Sequence, residues 1–277
     1  MDAGAYLCDC AARVDAALEA GLPAADAAPA SLHAAMRHLV FPGGKRLRPA
    51  LAMAAAEAVG APPEAALPVA VGAELVHTYS LVHDDLPCMD DDDTRRGRPT
   101  VHVAYGEALA VLAGDALQAL AFEVLLADGG ERTGAAAARL ARAAGSRELV
   151  GGQVDDLAAE TGPAPELADV LSIHRRKSAA LIAAAIAGGA ELAGGTPAEV
   201  ALLEDFGRRV GVAFQIADDL LDADEDGACS VVPLLGVPAA RERAETLLDE
   251  ALAMIEDWGE RAEPLRELAR FSVRRKQ

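Results

Sequence analysis

The chain has 277 residues and a net charge of −19, with 52% apolar, 25% charged and only 3% aromatic residues. That length can bury a large core in one big domain or two small ones. So acidic a surface repels nucleic acid and anionic membrane, which argues against both as partners, and an anionic substrate needs local cations or metal ions that override the global field.

Abundant alanine, leucine, glutamate and arginine, with few β-branched runs, predict an all-α protein. The opening MDAGAYLCDC has neither the basic start nor the apolar stretch of a signal peptide. Acids such as Asp115 and Glu123 interrupt the apolar stretch around them, so no membrane span and a cytoplasmic location are expected. Cys8, Cys10, Cys88 and Cys229 are scattered without metal-site spacing. Gly/Pro punctuation falls at 21–23, 42–44, 60–63, 97–99, 129–130, 162–165, 194–197, 227 and 233–238. Between these breaks lie stretches of roughly 15 to 30 residues with apolar positions three and four apart, the helical period. Segments 167–193 and 197–222 are the clearest; in the second, Thr196 is placed to cap, Pro197 to take the first helical position and Glu199 to close the cap. One all-α domain over 1–277 is expected.

Chemistry concentrates in a few places. An apolar helix from about Pro68 ends in His83-Asp84-Asp85-Leu86-Pro87-Cys88-Met89-Asp90, followed by Asp91, Asp92 and Asp93. A second acidic group, Asp218-Asp219…Asp222, closes FQIADDLLD, and Asp218 and Asp222 share a helix face. Adjacent carboxylates on an apolar helix repel, so they ask for a cation. Hard oxygen ligands suit Mg²⁺, which takes about one or two carboxylates and completes its shell with phosphate oxygens and water. Asp84 and Asp90 are too far apart to align on a regular helix, but Pro87 breaks the turn and lets the intervening residues loop out. A single cluster reads more readily as a solvated acidic helix end; two after apolar helices point to metal-diphosphate binding.

The basic residues gather against the trend. Gly43-Gly44-Lys45-Arg46-Leu47-Arg48-Pro49 opens a helix, where backbone N–H groups and cations suit a diphosphate. Arg95-Arg96 follow the aspartates, His174-Arg175-Arg176-Lys177 form a third group, and His77 lies on the Asp84 face, about 10 Å along the helix.

GGKRLRP (43–49), HTYSLVHDDLPCMDDDDTRRGRPT (77–100), AGDAL (113–117), VGGQ (150–153), HRRKSAALI (174–182) and FQIADDLLD (214–222) together resemble the trans-isoprenyl diphosphate synthases, specifically the bacterial farnesyl diphosphate synthase type. The resemblance implies a bundle of about ten or more helices around a central apolar cavity. It implies that Asp84, Asp85 and Asp90, with Asp218, Asp219 and Asp222 across the cavity, hold about three Mg²⁺ that bridge to an allylic diphosphate. Arg95 and Lys177 would contact that diphosphate, Lys45, Arg48, His77 and Arg96 would hold isopentenyl diphosphate, and Ser178 and Gln215 would line the path of the carbocation. Ser178 stands where the family usually has Thr. Ionisation, attack by the isopentenyl double bond and proton loss to the released diphosphate need no protein base. The resemblance also implies a homodimer. Tyr79 and Ser80, five and four residues before Asp84, are the chain-length candidates; an aromatic at 79 with Leu86-Pro87 resembles enzymes that stop at the C15 product, with C10 or C20 as alternatives. The chain departs from the family after Asp222, where DADEDGACSVVPLLG contains no Lys before Arg241, and at Asp91, where an extra acid is expected to face solvent. A class I terpene cyclase and a non-catalytic regulatory subunit are the competing readings. The GGKRLRP patch and DDLLD oppose the first; the intact aspartate motifs oppose the second.

Overall fold

Small residues set the architecture, because Ala and Gly let helices approach to backbone contact. The computed structural model describes residues 2–127, 129–222 and 229–274. In chain order the helices are α1 (Ala3–Gly21), α2 (Ala30–Val40), α3 (Leu47–Ala58), α4 (Leu67–Asp84), α5 (Val101–Tyr105), α6 (Glu107–Leu126), α7 (Glu131–Ala144), α8 (Leu149–Thr161), α9 (Leu167–Ile173), α10 (Ala180–Leu192), α11 (Pro197–Leu221), α12 (Val232–Leu235), α13 (Val237–Met254) and α14 (Glu263–Arg274). The all-α expectation holds. At the centre, α10 is apolar all round and packs on α3, α4, α7 and α11, while α4 packs on α3 and α6.

The predicted cap of α11 is present: Thr196 Oγ1 accepts from the Glu199 N–H at 3.3 Å, and Glu199 Oε2 accepts from the Thr196 N–H at 2.8 Å. The closest helix crossings use glycine as a contact surface. A Cβ on Gly189 of α10 would lie 2.2 Å from the Ala52 carbonyl of α3, and one on Gly211 of α11 would lie 2.5 Å from Ala179 Cα.

Three local features depart from the expectation. Segment 167–193 is not one regular helix: α9 and α10 are joined by a π-helical turn, His174–Ala179, that carries the basic run. A two-stranded antiparallel hairpin, β1 (Thr94–Arg95) and β2 (Arg98–Pro99), follows the first aspartate cluster. Arg96 and Gly97, with φ of 55° and 72°, make its tight turn. Two helical stretches are also long and apolar enough to cross a membrane by length and composition, 63–84 and Glu107–Leu126. The first has 72% of its apolar window buried in the bundle, against 39% for α6, which leaves an apolar face of α6 in the open.

Replacing Gly189 by Ala forces α10 off α3, since the obstacle is backbone. Stability is expected to fall by about 1–3 kcal/mol, read as a lower urea midpoint at unchanged slope.

Candidate active site

The first acidic helix end takes the form anticipated from Pro87. α4 stops at Asp84, and the Asp90 N–H returns to the Asp84 carbonyl at 2.8 Å, looping out the residues between. Asp91 lies in the left-handed region at φ 56° and is exposed, as expected of the extra acid. Asp85 turns inward: it is fully buried, accepts from Arg95 Nε at 2.5 Å, and leaves Oδ2 without a hydrogen-bond partner. Arg95 also donates to Asp92 at 3.0 Å, so β1 ties the acidic loop to the helix end.

Asp84 and Asp218, one from each acidic cluster, line the same cavity of about 420 Å³. Arg48, His77, Arg95, Arg96, Lys177, Ser178 and Gln215 share its wall. The apolar part of that wall is Leu81, Leu149, Leu181 and Phe214, so the cavity is mainly polar rather than the apolar one expected. It is polar because α3, α4, the β-hairpin and the π-turn all present their charged residues here. A second cavity of about 270 Å³ shares Lys177, Ser178 and Gln215 and is lined by Asp219 and Asp222. The second acidic cluster is therefore divided between two spaces. Asp219 is an anchor: it accepts from the Val231 N–H at 2.8 Å and faces His174 Nε2 at 3.5 Å.

The electrostatics follow from crowding. Burial pushes the Asp84 carboxyl up from 3.8 to about 7, with Asp90 and Asp85 adding and Lys177 and Arg95 opposing. Burial also raises Asp85, Asp90 and Asp219. Burial lowers the His77 imidazole well below its ordinary value, and Arg48, Arg96 and Arg95 push the same way, so His77 is a neutral donor. Burial would lower the Lys177 ammonium, but Asp156, Asp84 and Asp90 outweigh it and hold it above its usual value. Ser178 Oγ donates to Gln215 Oε1 at 2.6 Å, pairing the two across α11 and the π-turn.

Several expected residues behave otherwise. Lys45 is exposed and lies outside the residues that form the cavity wall. The run 174–177 does not act as one cation group: His174 is buried against Asp219, Arg175 is exposed, Arg176 pairs with Asp155, and only Lys177 faces the cavity. Tyr79 is turned towards α6, with its ring edge-on to His83 at 5.9 Å, whereas Ser80 lines the cavity. The stretch after Asp222 that lacks a Lys includes residues 223–228, which lie outside the described residues.

The sequence reading passed over Asp156 of α8, which binds the Lys177 ammonium, and Glu74, a buried carboxylate beneath the arginines. Asp156 lies three residues after VGGQ, within reach of motif inspection.

A family model described as polyprenyl synthetase matches residues 29–229. The chain belongs to the polyprenyl synthetase family. The chain is 40% identical to geranylgeranyl pyrophosphate synthase 11, chloroplastic, of Arabidopsis thaliana, over 98% of this chain and 82% of that one. It is 39% identical to the heterodimeric geranylgeranyl pyrophosphate synthase large subunit 1, chloroplastic, of the same plant, over 91% and 73%. Among solved structures, an FPP/GFPP synthase from Zymomonas mobilis superposes with a TM-score of 0.90 at 40% identity, covering 98% of each chain. Membership places the chain among the prenyltransferases.

A carboxyl held near 7 keeps a proton in the folded protein that the unfolded chain has released. Stability therefore falls as pH rises from 3.8 to about 7, and the deficit is complete above that. Asp84→Asn is expected to stabilise the metal-free protein at pH 8 by on the order of 2 kcal/mol after solvent screening. The gain should shrink as pH is lowered towards 4, which thermal denaturation across that range measures.

Proposed function

We propose that this protein joins isopentenyl diphosphate head-to-tail to an allylic diphosphate, releasing diphosphate, with Mg²⁺ as cofactor. The observation that carries the proposal is that Asp84 and Asp218 share one cavity wall with Arg48, His77, Arg95, Arg96 and Lys177. Acidic and basic groups interleaved in this way suit a diphosphate and its counter-cations together.

Mg²⁺ fits the residues present. The donors are carboxylate oxygens, Asp84 is held near 7 by burial among other acids, and Asp85 Oδ2 is buried without a partner. No group of three or more metal-ligating side chains is pre-assembled among the described residues. That suits an ion whose shell is completed by diphosphate and water. Asp84, Asp90 and Asp218 would hold it, with Asp219 and Asp222 towards the second cavity. Once bound, it neutralises charge developing on the departing diphosphate.

The protein groups do the rest. Arg95 and Lys177 hold the allylic diphosphate, so the charge left by ionisation of its C–O bond meets fixed cations. Arg48, Arg96 and neutral His77 hold isopentenyl diphosphate. Its double bond attacks the allylic carbon, and the proton lost passes to the released diphosphate. Leu81, Leu181 and Phe214 keep water from the carbocation.

Elongation to the C20 product is the reading now best supported. Several relatives at 40–43% identity are named geranylgeranyl pyrophosphate synthases, and Tyr79 faces α6 instead of the cavity wall. The C15 product is the second reading, favoured by the buried aromatic five residues before Asp84. Incubation with isopentenyl diphosphate, Mg²⁺ and C5, C10 or C15 allylic starters should give a C20 product, unchanged by Tyr79→Ala. A C15 end point that lengthens in Tyr79→Ala would establish the second reading; an absence of any product would defeat both.

The open face of α6 supports a homodimer. Leu112 and Leu126, at 53% and 46% exposure, lie two heptads apart with exposed Ala119 between them, hence on one face. A second copy would cover it. Leu112→Glu is expected to halve the mass seen by light scattering.

A further inference from the structure

The second cation of GGKRLRP lines neither cavity, and each nitrogen of its guanidinium has a partner. Arg46 stands between Lys45 and Arg48, yet it is 2% exposed. Its Nε donates to Asp15 at 2.9 Å, Nη1 to Glu74 at 2.6 Å and Nη2 to the Val40 carbonyl at 2.7 Å. One guanidinium thus ties α1, α4 and the C-terminal end of α2 to the first residue before α3. Its backbone is left-handed at φ 53°, which a non-glycine residue adopts only when its surroundings hold it there. The preceding glycines fit this arrangement. A Cβ on Gly43 would stand 1.9 Å from Arg46 Cζ, and one on Gly44 would stand 2.8 Å from Arg96 Nη2.

Glu74 completes the cluster. It is 2% exposed on α4, three residues before His77, and its charge acts on Arg48 and Arg96 as well as on Arg46. One buried carboxylate therefore sits under the cations that line the basic part of the cavity.

We propose that Arg46, locked by Glu74 and Asp15, is a positioning residue that holds the 43–48 turn so that Arg48 and Lys45 meet one diphosphate, and that it thereby sets affinity for isopentenyl diphosphate alone. The proposal rests on the function given above. Arg46 touches no substrate; it acts through the direction in which its neighbours leave the turn. Misplacing such groups by a fraction of an ångström weakens binding steeply, whereas Arg95, Lys177 and the aspartates are held by other contacts.

The test uses Arg46→Met, Arg46→Lys and the milder Asp15→Asn, whose target carboxylate is half exposed. For Arg46→Met the KM for isopentenyl diphosphate should rise about tenfold or more. The KM for the allylic diphosphate and the Mg²⁺ requirement should stay within about twofold of the parent. Arg46→Lys, which keeps the charge but not the fork, should fall between. If Arg46→Met does not fold, Asp15→Asn should still raise the same KM by a few-fold while leaving the other two unmoved. Equal losses for both substrates, or a lowered melting temperature with unchanged KM values, would overturn the positioning role. A parent enzyme that turns over no prenyl diphosphate would instead defeat the underlying reading.

Discussion

Everything at the site depends on carboxylates held close together where water cannot fully solvate them. α4 and α11 are apolar helices whose last turns carry Asp84 and Asp218 into one cavity, and burial opposes the charged form of Asp84, Asp85, Asp90 and Asp219. In a chain of net charge −19, this is the place where more negative charge is least welcome. The arrangement is sustained by nearby cations: Arg95 on Asp85, Lys177 among Asp84, Asp90 and Asp156, and the arginines above Glu74. Carboxylates crowded and buried in this way cost stability, as expected of groups kept for chemistry rather than for folding.

Two grades of charge coexist within a few residues of one another. Asp219, Arg46 and Glu74 are buried and paired, Asp85 is buried and paired through one oxygen, and all four hold elements in place. Asp84, Asp218, Arg48 and Lys177 line the main cavity, Lys177 while paired with Asp156. Each acidic motif contributes one member to both grades, Asp84 beside Asp85 and Asp218 beside Asp219, because adjacent helical residues point about 100° apart. A doubled aspartate therefore supplies one carboxylate to the cavity and another that anchors the helix end.

The π-turn and the hairpin are the local irregularities on which the site's geometry turns. The extra residue in the turn at His174–Ala179 shifts Lys177 and Ser178 onto the cavity while His174 stays beneath, against Asp219. The left-handed pair Arg96-Gly97 reverses the chain so that Arg95 closes on Asp85 and Arg96 reaches back to the Leu39 carbonyl. Neither irregularity leaves a periodic trace in the residues that form it.

The all-helical fold, the α11 cap, the Pro87 loop-out and the two acidic motifs were legible in the amino-acid order, because each is set by neighbours within about one or two helical turns. The order of residues also marked the basic patches, since cations are conspicuous in an acidic chain. It did not show which of Asp218 and Asp219 would face the cavity, that Tyr79 would turn to α6, that Lys177 would rest on Asp156, or that Arg46 would be buried on Glu74. Those outcomes depend on which helix lies against which. A charge's role is set by what is packed around it, and only the tertiary structure brings together residues that lie 21, 28 and 31 positions apart in the chain.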